Sequence, residues 1–188
     1  MVRTFVALLI PKAWADYLAQ VERDLAGRMS GLSWVKPENL HLTLRFLGDL
    51  GDSGVRRAGE AVRRGSEEAR AIHARLGGLG AFPARGRQRI IWTGLDEGAE
   101  EATALARAVN EALRRDGFGR PDKPFRPHLT LARIREAARG LEAMHEYAPP
   151  PPPEGAWIDQ VVLMKSDLHP AGARYTPLVE VRLRQPGS

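Results

Sequence analysis

The sequence predicts an α+β fold in which antiparallel strands are flanked by helices and the chain is built from two similar halves. Short strands rich in Val, Leu and Ile alternate with amphipathic helices, and the Pro and Gly turns are short enough to join antiparallel neighbours. One tetrapeptide occurs twice, as His41–Leu44 and, 87 residues later, as His128–Leu131, in a chain of 188 residues. A repeat spaced at close to half the chain length indicates two related halves.

The first half is predicted to contain a buried strand, an amphipathic helix, a second strand and a charged helix. Residues 2–10 suit a strand that is buried on both faces, because the segment is short and mostly apolar. Apolar residues at steps of three and four indicate a helix from Trp14 to Gly27. The remaining elements of this half are the strand 40–47 and the charged helix 53–71.

The second half is predicted to begin with a hairpin and to end with two strands after a proline run. The hairpin strands cover 73–82 and 88–95, and a strongly periodic helix follows at 98–115. Five consecutive prolines at 149–153 indicate a stiff polyproline II spacer. The other predicted elements are the strand 125–133, a short helix at 136–145 and the closing strands 156–163 and 178–183.

Composition limits the compartment and the partners of the chain. It contains no cysteine, which excludes disulfides and cysteine nucleophiles and favours a reducing compartment such as the cytoplasm. The apolar run Val6–Ile10 is too short to cross a membrane, so we expect no membrane association, and a monomer is the default expectation. The net charge is +5, and 24 of the 28 basic residues are arginine. Guanidinium groups favour phosphate partners, although genomic base composition explains the charge equally well.

The repeated tetrapeptide presents chemistry suited to phosphoryl transfer. In a strand His41 and Thr43 point to one face, and His128 and Thr130 do the same in the second copy. In-line displacement at phosphorus needs a base for the attacking oxygen, an acid for the departing oxygen, and donors for the equatorial oxygens. Histidine serves as either acid or base near neutral pH, and the threonine hydroxyls would donate to phosphate. The residues alone do not decide which histidine is the acid.

Other uses of these histidines have less support. The sequence contains no His-x-His or His-Glu-x-x-His, and no acidic cluster adjoins either motif, so we predict catalysis without a metal ion or another cofactor. It also lacks a Gly-x-Ser-x-Gly elbow and a Walker loop. His73, His145 and His169 are not repeated and are expected to be structural or surface residues. The alternative function is a non-catalytic RNA-end or nucleotide binder, supported weakly by the arginine clusters at 56–57, 63–64 and 85–89.

Three stretches of the chain resemble the 2H phosphoesterases, and most closely their RNA 2′,3′-cyclic phosphodiesterase group, also called LigT-like proteins or 2′-5′ RNA ligases. These stretches are Trp34–Leu44, Phe125–Arg133 and Leu168–Tyr175. The resemblance implies a single bilobal domain over 1–188, with two antiparallel sheets around a central cleft related by an approximate two-fold axis.

The resemblance also implies the reaction. RNA with a 2′,3′-cyclic phosphate end, or a small cyclic nucleotide, would be hydrolysed to a 2′-phosphomonoester. His41 would give a proton to the 3′-oxygen and His128 would activate water, while Thr43 and Thr130 bind phosphate. Because the same acid and base can add a 5′-hydroxyl instead of water, reversible 2′-5′ RNA ligation is expected as a minor activity.

The arginines near the motifs are candidates for additional phosphate or RNA contacts. Arg126 shares strand parity with His128, and Arg45 shares it with His41. Arg133 has the opposite parity, and a bulge would turn it toward the histidine. We expect contacts from Arg126 and Arg133 rather than from Arg45.

Overall fold

The computed structural model describes residues 1–169 and 172–186, without the side chains of residues 136 and 137. Pro170 and Ala171, within the third stretch that carries the resemblance, lie outside the described residues. Nine strands and four α-helices are present in the described part of the chain. In chain order they are β1 (Val2–Leu9), α1 (Lys12–Ala26), β2 (Ser30–Trp34), β3 (His41–Leu50), α2 (Asp52–Ser66), β4 (Ile72–Phe82), β5 (Ile90–Glu97), α3 (Ala99–Arg115), β6 (Leu129–Arg139), α4 (Ala143–Glu146), β7 (Ala156–Ile158), β8 (Gln160–Asp167) and β9 (Arg174–Arg182).

The described strands form one hydrogen-bonded path in the order β7-β4-β5-β6-β3-β1-β8-β9, with β2 attached to β6. Every pair of neighbouring strands is antiparallel. The prediction of an α+β fold with antiparallel strands is therefore confirmed. The two central strands, β3 and β6, are joined at a single residue pair, Leu42 with Leu129. The strands β7, β4, β5, β6 and β2 are thus joined to the strands β3, β1, β8 and β9 through this one residue pair.

Helices α2 and α3 pack against each other and against the sheet. Helix α2 contacts β3, β8 and β9, while α3 contacts β3, β4 and β5. The inward faces of these helices carry small and aliphatic residues, including Ala58, Val62, Leu105 and Val109, all nearly or completely buried. Burying about 25 cal/mol per Å² of such apolar surface holds the helices to the sheet. The strands that carry the repeated motif are therefore anchored from behind by packed helices.

Helix α1 and the proline run contact each other through side chains at the surface. The Tyr17 hydroxyl donates to the carbonyl oxygen of Pro150, 2.9 Å away. The Tyr147 hydroxyl donates to the carboxylate of Asp24, 2.7 Å away. On its inner face α1 buries Trp14 with three aliphatic residues at helical spacing, as the sequence predicted. The proline run therefore lies against α1.

Two predicted helices differ from the structure, and pairing with a distant segment explains each difference. The predicted helix 53–71 ends at Ser66, because the following backbone is used by the C-terminal segment: the Ala71 amide donates to the Arg184 carbonyl at 2.8 Å. The predicted helix 136–145 is wrong over most of its length. Strand β6 continues to Arg139, which pairs with Ser30 of β2. Only the four residues of α4 are helical there.

The other predicted elements are confirmed with shifted ends. Strand β6 begins at Leu129 rather than at residue 125, so His128 lies just before it. Gly140 has a φ of +74° and ends this strand, and a side chain there would collide with the carbonyl of Arg28. The closing segment holds three strands, β7 to β9, where two were predicted. Among the described residues, no helix is both long and apolar enough to span a membrane.

Candidate active site

The two His-x-Thr motifs lie side by side in the middle of the sheet. Leu42 of β3 pairs with Leu129 of β6, and the strands run in opposite directions. Continuing this register places each histidine across from the threonine of the other motif. The two paired leucines are fully buried, whereas the histidines and threonines are only partly buried. We call the four polar side chains on this side of the sheet the histidine face: His41, Thr43, His128 and Thr130.

Each motif ends in a β-bulge at its last leucine. Strand β1 pairs with residues 43 and 45 of β3, which leaves Leu44 without a partner in β1. Strand β5 pairs with residues 130 and 132 of β6, which leaves Leu131 without a partner in β5. In both strands the leucine and the next residue are buried, and the residue after them is exposed. A bulge shifts the alternation of side chains by one residue, so the face that each later side chain occupies is reversed.

The bulge in β3 turns Arg45 away from the histidine face. Its side chain is only 8% exposed and reaches α3, where Nη1 donates to Oδ1 of Asn110 at 3.2 Å. Nη2 donates to the carbonyl oxygen of Phe118 at 3.0 Å. In a regular strand Arg45 would lie on the same face as His41, but the bulge places it on the opposite face. That Arg45 does not contact a substrate stays a prediction, and this position supports it.

The bulge in β6 has the opposite consequence for Arg133, which now shares the face of His128. Arg133 is exposed. Burial raises the pKa of Tyr175, and the positive charges of Arg133 and Arg3 oppose this increase. Tyr175 in turn contacts the His41 ring. Arg133 is therefore close enough to Tyr175 to influence it electrostatically. Arg126 is exposed as well, and the described contact near the motif is made by its backbone carbonyl.

Both histidine rings are held in the same way through Nδ1. In His41 this atom lies 2.7 Å from the carbonyl oxygen of Asn39, and in His128 it lies 2.6 Å from that of Arg126. A carbonyl oxygen only accepts, so Nδ1 carries the hydrogen in each ring. Nε2 is then the atom that can take up or release a proton. The Nε2 atom of His41 lies 2.9 Å from the hydroxyl oxygen of Thr43.

His41 is enclosed by aromatic rings, which alters its protonation. The ring of Phe5 lies 4.8 Å from it and that of Tyr175 lies 5.3 Å from it, both measured between centroids. Burial lowers the pKa of His41 below its ordinary 6.5, the hydrogen bond to the Asn39 carbonyl opposes this effect, and the charge of His128 adds to it. His128 is therefore close enough to His41 for the two rings to interact electrostatically.

The turn before His41 is fixed to the beginning of β9. The Asn39 side-chain amide donates to the carbonyl oxygen of Ala173, 2.8 Å away. Residues 37–39 form a 3-10 helix that places the Asn39 carbonyl against the histidine. By anchoring this turn, the Asn39 side chain also fixes the position of the Asn39 carbonyl oxygen, which accepts the hydrogen bond from the His41 ring.

His128 has its own aromatic neighbours in β4 and β5. Its ring centroid lies 5.2 Å from Phe82 and 6.4 Å from Trp92. These two rings are stacked on each other at 4.9 Å, and the Trp92 ring also covers Gly80. One face of each of these two rings is therefore covered by the other ring.

Other candidate sites do not combine with the histidine face. Within residues 1–169 and 172–186, no three His, Asp or Glu side chains are grouped so that they could hold a metal ion. Two cavities of about 420 Å³ lie along α3, and neither is lined by His41 or His128. Of the unrepeated histidines, His73 packs against Trp157 at the far edge of the sheet.

Comparison with known proteins identifies the family. The family model described as the 2′-5′ RNA ligase superfamily matches residues 10–170, a span that includes both motifs. This chain belongs to the 2′-5′ RNA ligase superfamily. The resemblance found in the sequence is thereby confirmed.

Several relatives of this chain carry the name RNA 2′,3′-cyclic phosphodiesterase, among them the following two. The protein of Archaeoglobus fulgidus is 38% identical over 133 residues, which cover 71% of this chain and 73% of that protein. The protein of Methanothermobacter thermautotrophicus is 30% identical over 185 residues, which cover 97% of this chain and 99% of that protein.

Solved structures show that the fold is shared across almost the whole chain. A crystal structure of a Thermus thermophilus protein has a TM-score of 0.75 at 28% identity and covers 97% of this chain and 98% of its own. The apo crystal structure of E. coli LigT has a TM-score of 0.74 at 23% identity, with 98% of each chain covered. The fold of the superfamily therefore extends beyond the two motifs to the strands at both ends of the chain.

The sequence did not identify several residues around the motifs as parts of the site. Phe5 and Tyr175 contact His41, and Asn39 orients it. Phe46 follows the bulge in β3 and has a largely exposed ring. Two adjacent apolar residues at the end of a His-x-Thr strand would have indicated the bulge in the sequence. In the first motif the second of these buried positions is Arg45, and arginine is rarely buried, so the sequence gives no such signal there.

Proposed function

We propose that this chain hydrolyses 2′,3′-cyclic phosphates on RNA ends or nucleotides to 2′-phosphomonoesters, by acid-base catalysis between His41 and His128. The observation that carries the proposal is the pairing of the two motifs through Leu42 and Leu129, with both imidazoles on one face. The Nδ1 hydrogen bonds leave Nε2 of each ring for proton transfer. The names of the two relatives support the same reaction.

In this mechanism His128 accepts a proton from water through Nε2 as the water oxygen attacks phosphorus. The new P–O bond forms opposite the bond to the 3′-oxygen, which breaks as Nε2 of His41 donates its proton. The phosphate stays on the 2′-oxygen and a 3′-hydroxyl is released. Exchange with solvent returns the proton from His128 to His41. The assignment of acid and base follows the superfamily pattern rather than a difference between the motifs.

Neutral and charged hydrogen-bond donors would stabilise the negative charge on the non-bridging oxygens as water attacks phosphorus. The hydroxyls of Thr43 and Thr130 lie on the histidine face and donate to the non-bridging oxygens. Arg133, exposed on the face of His128, adds a positive charge. Arg126 is exposed beside His128 and would contact the RNA backbone. No step in this scheme requires a metal ion or another cofactor.

We infer that the two halves are related by an approximate two-fold axis through the Leu42–Leu129 pair. An antiparallel pair has local two-fold symmetry. The equivalent bulges, the same order of buried and exposed residues, and the same Nδ1 hydrogen bond in each motif support this. We treat residues 1–188 as one bilobal domain with the substrate cleft at the histidine face, since one cluster of buried residues includes both groups of strands.

The RNA-end substrate and the surroundings of the protein are part of the same proposal. A net charge of +5 carried by arginines supports binding of RNA or a small cyclic nucleotide. The absence of cysteine supports a reducing compartment such as the cytoplasm. A monomer remains the default prediction.

A turnover assay tests the proposal. EDTA-treated protein is incubated with an oligonucleotide ending in a 2′,3′-cyclic phosphate, and the position of the product phosphate is identified. We expect a 2′-phosphate, and losses of about 10²- to 10⁴-fold in kcat for His41→Ala and for His128→Ala. His145→Ala is the matched control, because this histidine is exposed and unrepeated. Full turnover by both active-site variants would overturn the proposal, and salt-sensitive binding without turnover would favour the non-catalytic binder.

A second reaction of the same site is 2′-5′ ligation, which the superfamily description favours. A 5′-hydroxyl of another RNA takes the place of water, and the proton transfers are otherwise the same. Water at its bulk concentration should win in most turnovers. Transfer of a label from a 5′-hydroxyl RNA into a longer, 2′-5′-linked product measures this activity.

A further inference from the structure

The turn that joins β4 to β5 carries three arginines and no acidic residue. We call residues 83–89 the arginine turn: it contains Arg85, Arg87 and Arg89, and all three are exposed. Gly86 has a φ of +81°, a conformation that suits glycine and lets the chain reverse direction here. A short exposed turn thus concentrates three guanidinium groups, which are suited to binding phosphate.

The charges of Arg85 and Arg89 are not neutralised within the described part of the protein. Several arginines elsewhere lie against carboxylates, as Arg64 does at 2.6 Å from Asp116. Among the described residues, no carboxylate forms an ion pair with Arg85 or Arg89. An exposed charge of this kind adds little to the stability of the fold. The two arginines are therefore available to an anionic partner.

The arginine turn adjoins the second motif. It begins directly after Phe82, whose ring centroid lies 5.2 Å from that of His128. It ends at Arg89, whose backbone carbonyl accepts a hydrogen bond from the Ile134 amide of β6 at 2.8 Å. In the order of strands, β4 and β5 lie on the side of β6 that is remote from β3, the strand of His41. The arginine turn is therefore on the His128 side of the site.

The proposed ligation determines which RNA strand lies on the His128 side. An in-line displacement brings the attacking oxygen to phosphorus opposite the departing 3′-oxygen. In ligation the 5′-oxygen of a second RNA forms the new bond to phosphorus, and its proton passes to Nε2 of His128. The bond to the 3′-oxygen breaks as His41 donates a proton to that oxygen. The second strand therefore extends away from phosphorus on the side of His128.

Hydrolysis makes no use of additional cations on that side. Water brings no phosphate of its own, whereas an RNA strand brings one negative charge with each phosphate. A cation that neutralises such a phosphate releases counterions and strengthens binding of the strand. Arginines on the side of the nucleophile therefore suit an attacking strand rather than an attacking water.

We propose that the arginine turn binds the RNA strand whose 5′-hydroxyl replaces water in ligation. This inference rests on the proposed function and assigns a partner, 5′-hydroxyl RNA, to a surface outside the two motifs. Arg85 and Arg89 contact phosphates of that strand. In the reverse reaction, which opens a 2′-5′ linkage, the same residues hold the departing strand. The arginine turn thus favours ligation over hydrolysis without contacting the cyclic phosphate.

The test measures how strongly a 5′-hydroxyl RNA suppresses hydrolysis of adenosine 2′,3′-cyclic phosphate. The competitor is a hexanucleotide with free 5′- and 3′-hydroxyls, which either occupies the place of water or is joined to the substrate. Its inhibition constant is compared in wild-type protein and in the double variant Arg85→Gln/Arg89→Gln, at low salt and at a fourfold higher salt concentration. Hydrolysis without the competitor should be the same in both proteins.

The expected change is a weaker and less salt-dependent inhibition in the double variant. Each lost contact to a single-strand phosphate lowers the slope of the logarithm of affinity against the logarithm of salt by about 0.7. For two contacts, the fourfold increase in salt should therefore weaken inhibition about 7-fold less in the variant than in wild-type protein. Wild-type inhibition with a wild-type salt dependence in Arg85→Gln/Arg89→Gln would overturn the inference.

A second double variant controls for net charge. Arg56→Gln/Arg63→Gln removes the same charge from two exposed arginines of α2, in the layer of helices behind the sheet. This variant should be inhibited as strongly as wild-type protein. If both double variants lose inhibition equally, overall charge explains the effect and the arginine turn has no special role.

A hexanucleotide that ends in a 2′,3′-cyclic phosphate distinguishes the two strands. If the turn binds the strand that carries the cyclic phosphate, Arg85→Gln/Arg89→Gln will raise KM for this hexanucleotide but not for the mononucleotide, and the inference fails. We expect both KM values to stay at the wild-type level. If wild-type protein opens no cyclic phosphate, the proposed function fails, and the inference fails with it. If it opens them but 5′-hydroxyl RNA does not inhibit, only the inference fails.

Discussion

Leu44 and Leu131 occupy equivalent bulges in β3 and β6. Leu44 has no pairing partner in β1, and Leu131 has none in β5. This relationship decides which side chains reach the histidine face. In β3 it buries Arg45 and exposes Phe46, and in β6 it buries Ala132 and exposes Arg133. The distribution of charge around the candidate site therefore follows from one backbone irregularity that occurs twice.

Arg133→Gln should reduce turnover with little effect on folding. The side chain is exposed, so its loss leaves no buried group unpaired, but a charged contact to phosphate would be lost. We expect kcat/KM for a 2′,3′-cyclic phosphate to fall about 10- to 100-fold. Arg115→Gln on α3 serves as the control, since Arg115 is also exposed and pairs with Glu111. Equal effects of the two variants would contradict this role for Arg133.

Arg45→Ala should instead reduce stability. It leaves the carbonyl oxygen of Phe118 and Oδ1 of Asn110 without this donor in a partly buried setting. The free energy of unfolding should fall by about 1–3 kcal/mol. Urea denaturation measures the change, and kcat/KM is determined at a temperature where the variant is folded. A stable variant with a large loss of kcat/KM would show that Arg45 acts on the substrate after all.

The pH dependence of turnover should reflect the lowered pKa of His41. Burial destabilises the imidazolium, so the His41 pKa lies below 6.5 in the free protein. A proton donor must start protonated, and kcat/KM should therefore decrease as the pH rises through this lowered pKa. A bound cyclic phosphate carries a negative charge that raises the pKa, so the alkaline limb of kcat should lie at higher pH than that of kcat/KM. Profiles measured from pH 4 to 9, together with an NMR titration of His41, test both statements. Coincident limbs well above pH 6.5 would argue against His41 as the acid.

Asn39→Ala should impair catalysis through the orientation of His41. The variant loses the hydrogen bond to Ala173 that fixes the turn, while the backbone carbonyl that accepts from His41 remains. Loss of one such bond predicts about a 2- to 10-fold decrease in kcat. Because the carbonyl contact raises the His41 pKa, a weaker contact should lower that pKa further. Glu38→Ala, in the same turn and exposed, is the control. A decrease in kcat with an unchanged His41 titration would point to a cause other than positioning.

The sequence predicted the elements that depend on local pattern. The periodicity of α1 and α3, the apolar first strand and the two motif strands were all visible in spacing alone. The histidines and threonines could be placed on one face because a tetrapeptide is too short for a later bulge to alter its alternation.

The features that depend on distant segments could not be read in the same way. Residues 136–139 have a helical composition but continue strand β6, in which Arg139 pairs with Ser30 of β2, more than a hundred residues earlier. Arg45 was assigned by parity to the face of His41, and only its pairing with β1 shows that it points to α3. Tyr175 and Phe5 join His41 from strands at opposite ends of the chain. Tertiary pairing overrides local propensity at each of these places.

The equivalence of the two motif strands also has a consequence for the direction of the reaction. Two identical halves would bind a cyclic phosphate equally well in either of two orientations, and each histidine would serve as acid in half of the encounters. Phe46 and Arg133 occupy equivalent positions but differ in charge and shape. In the proposed reaction, this difference between the two side chains would favour one orientation of the nucleotide over the other.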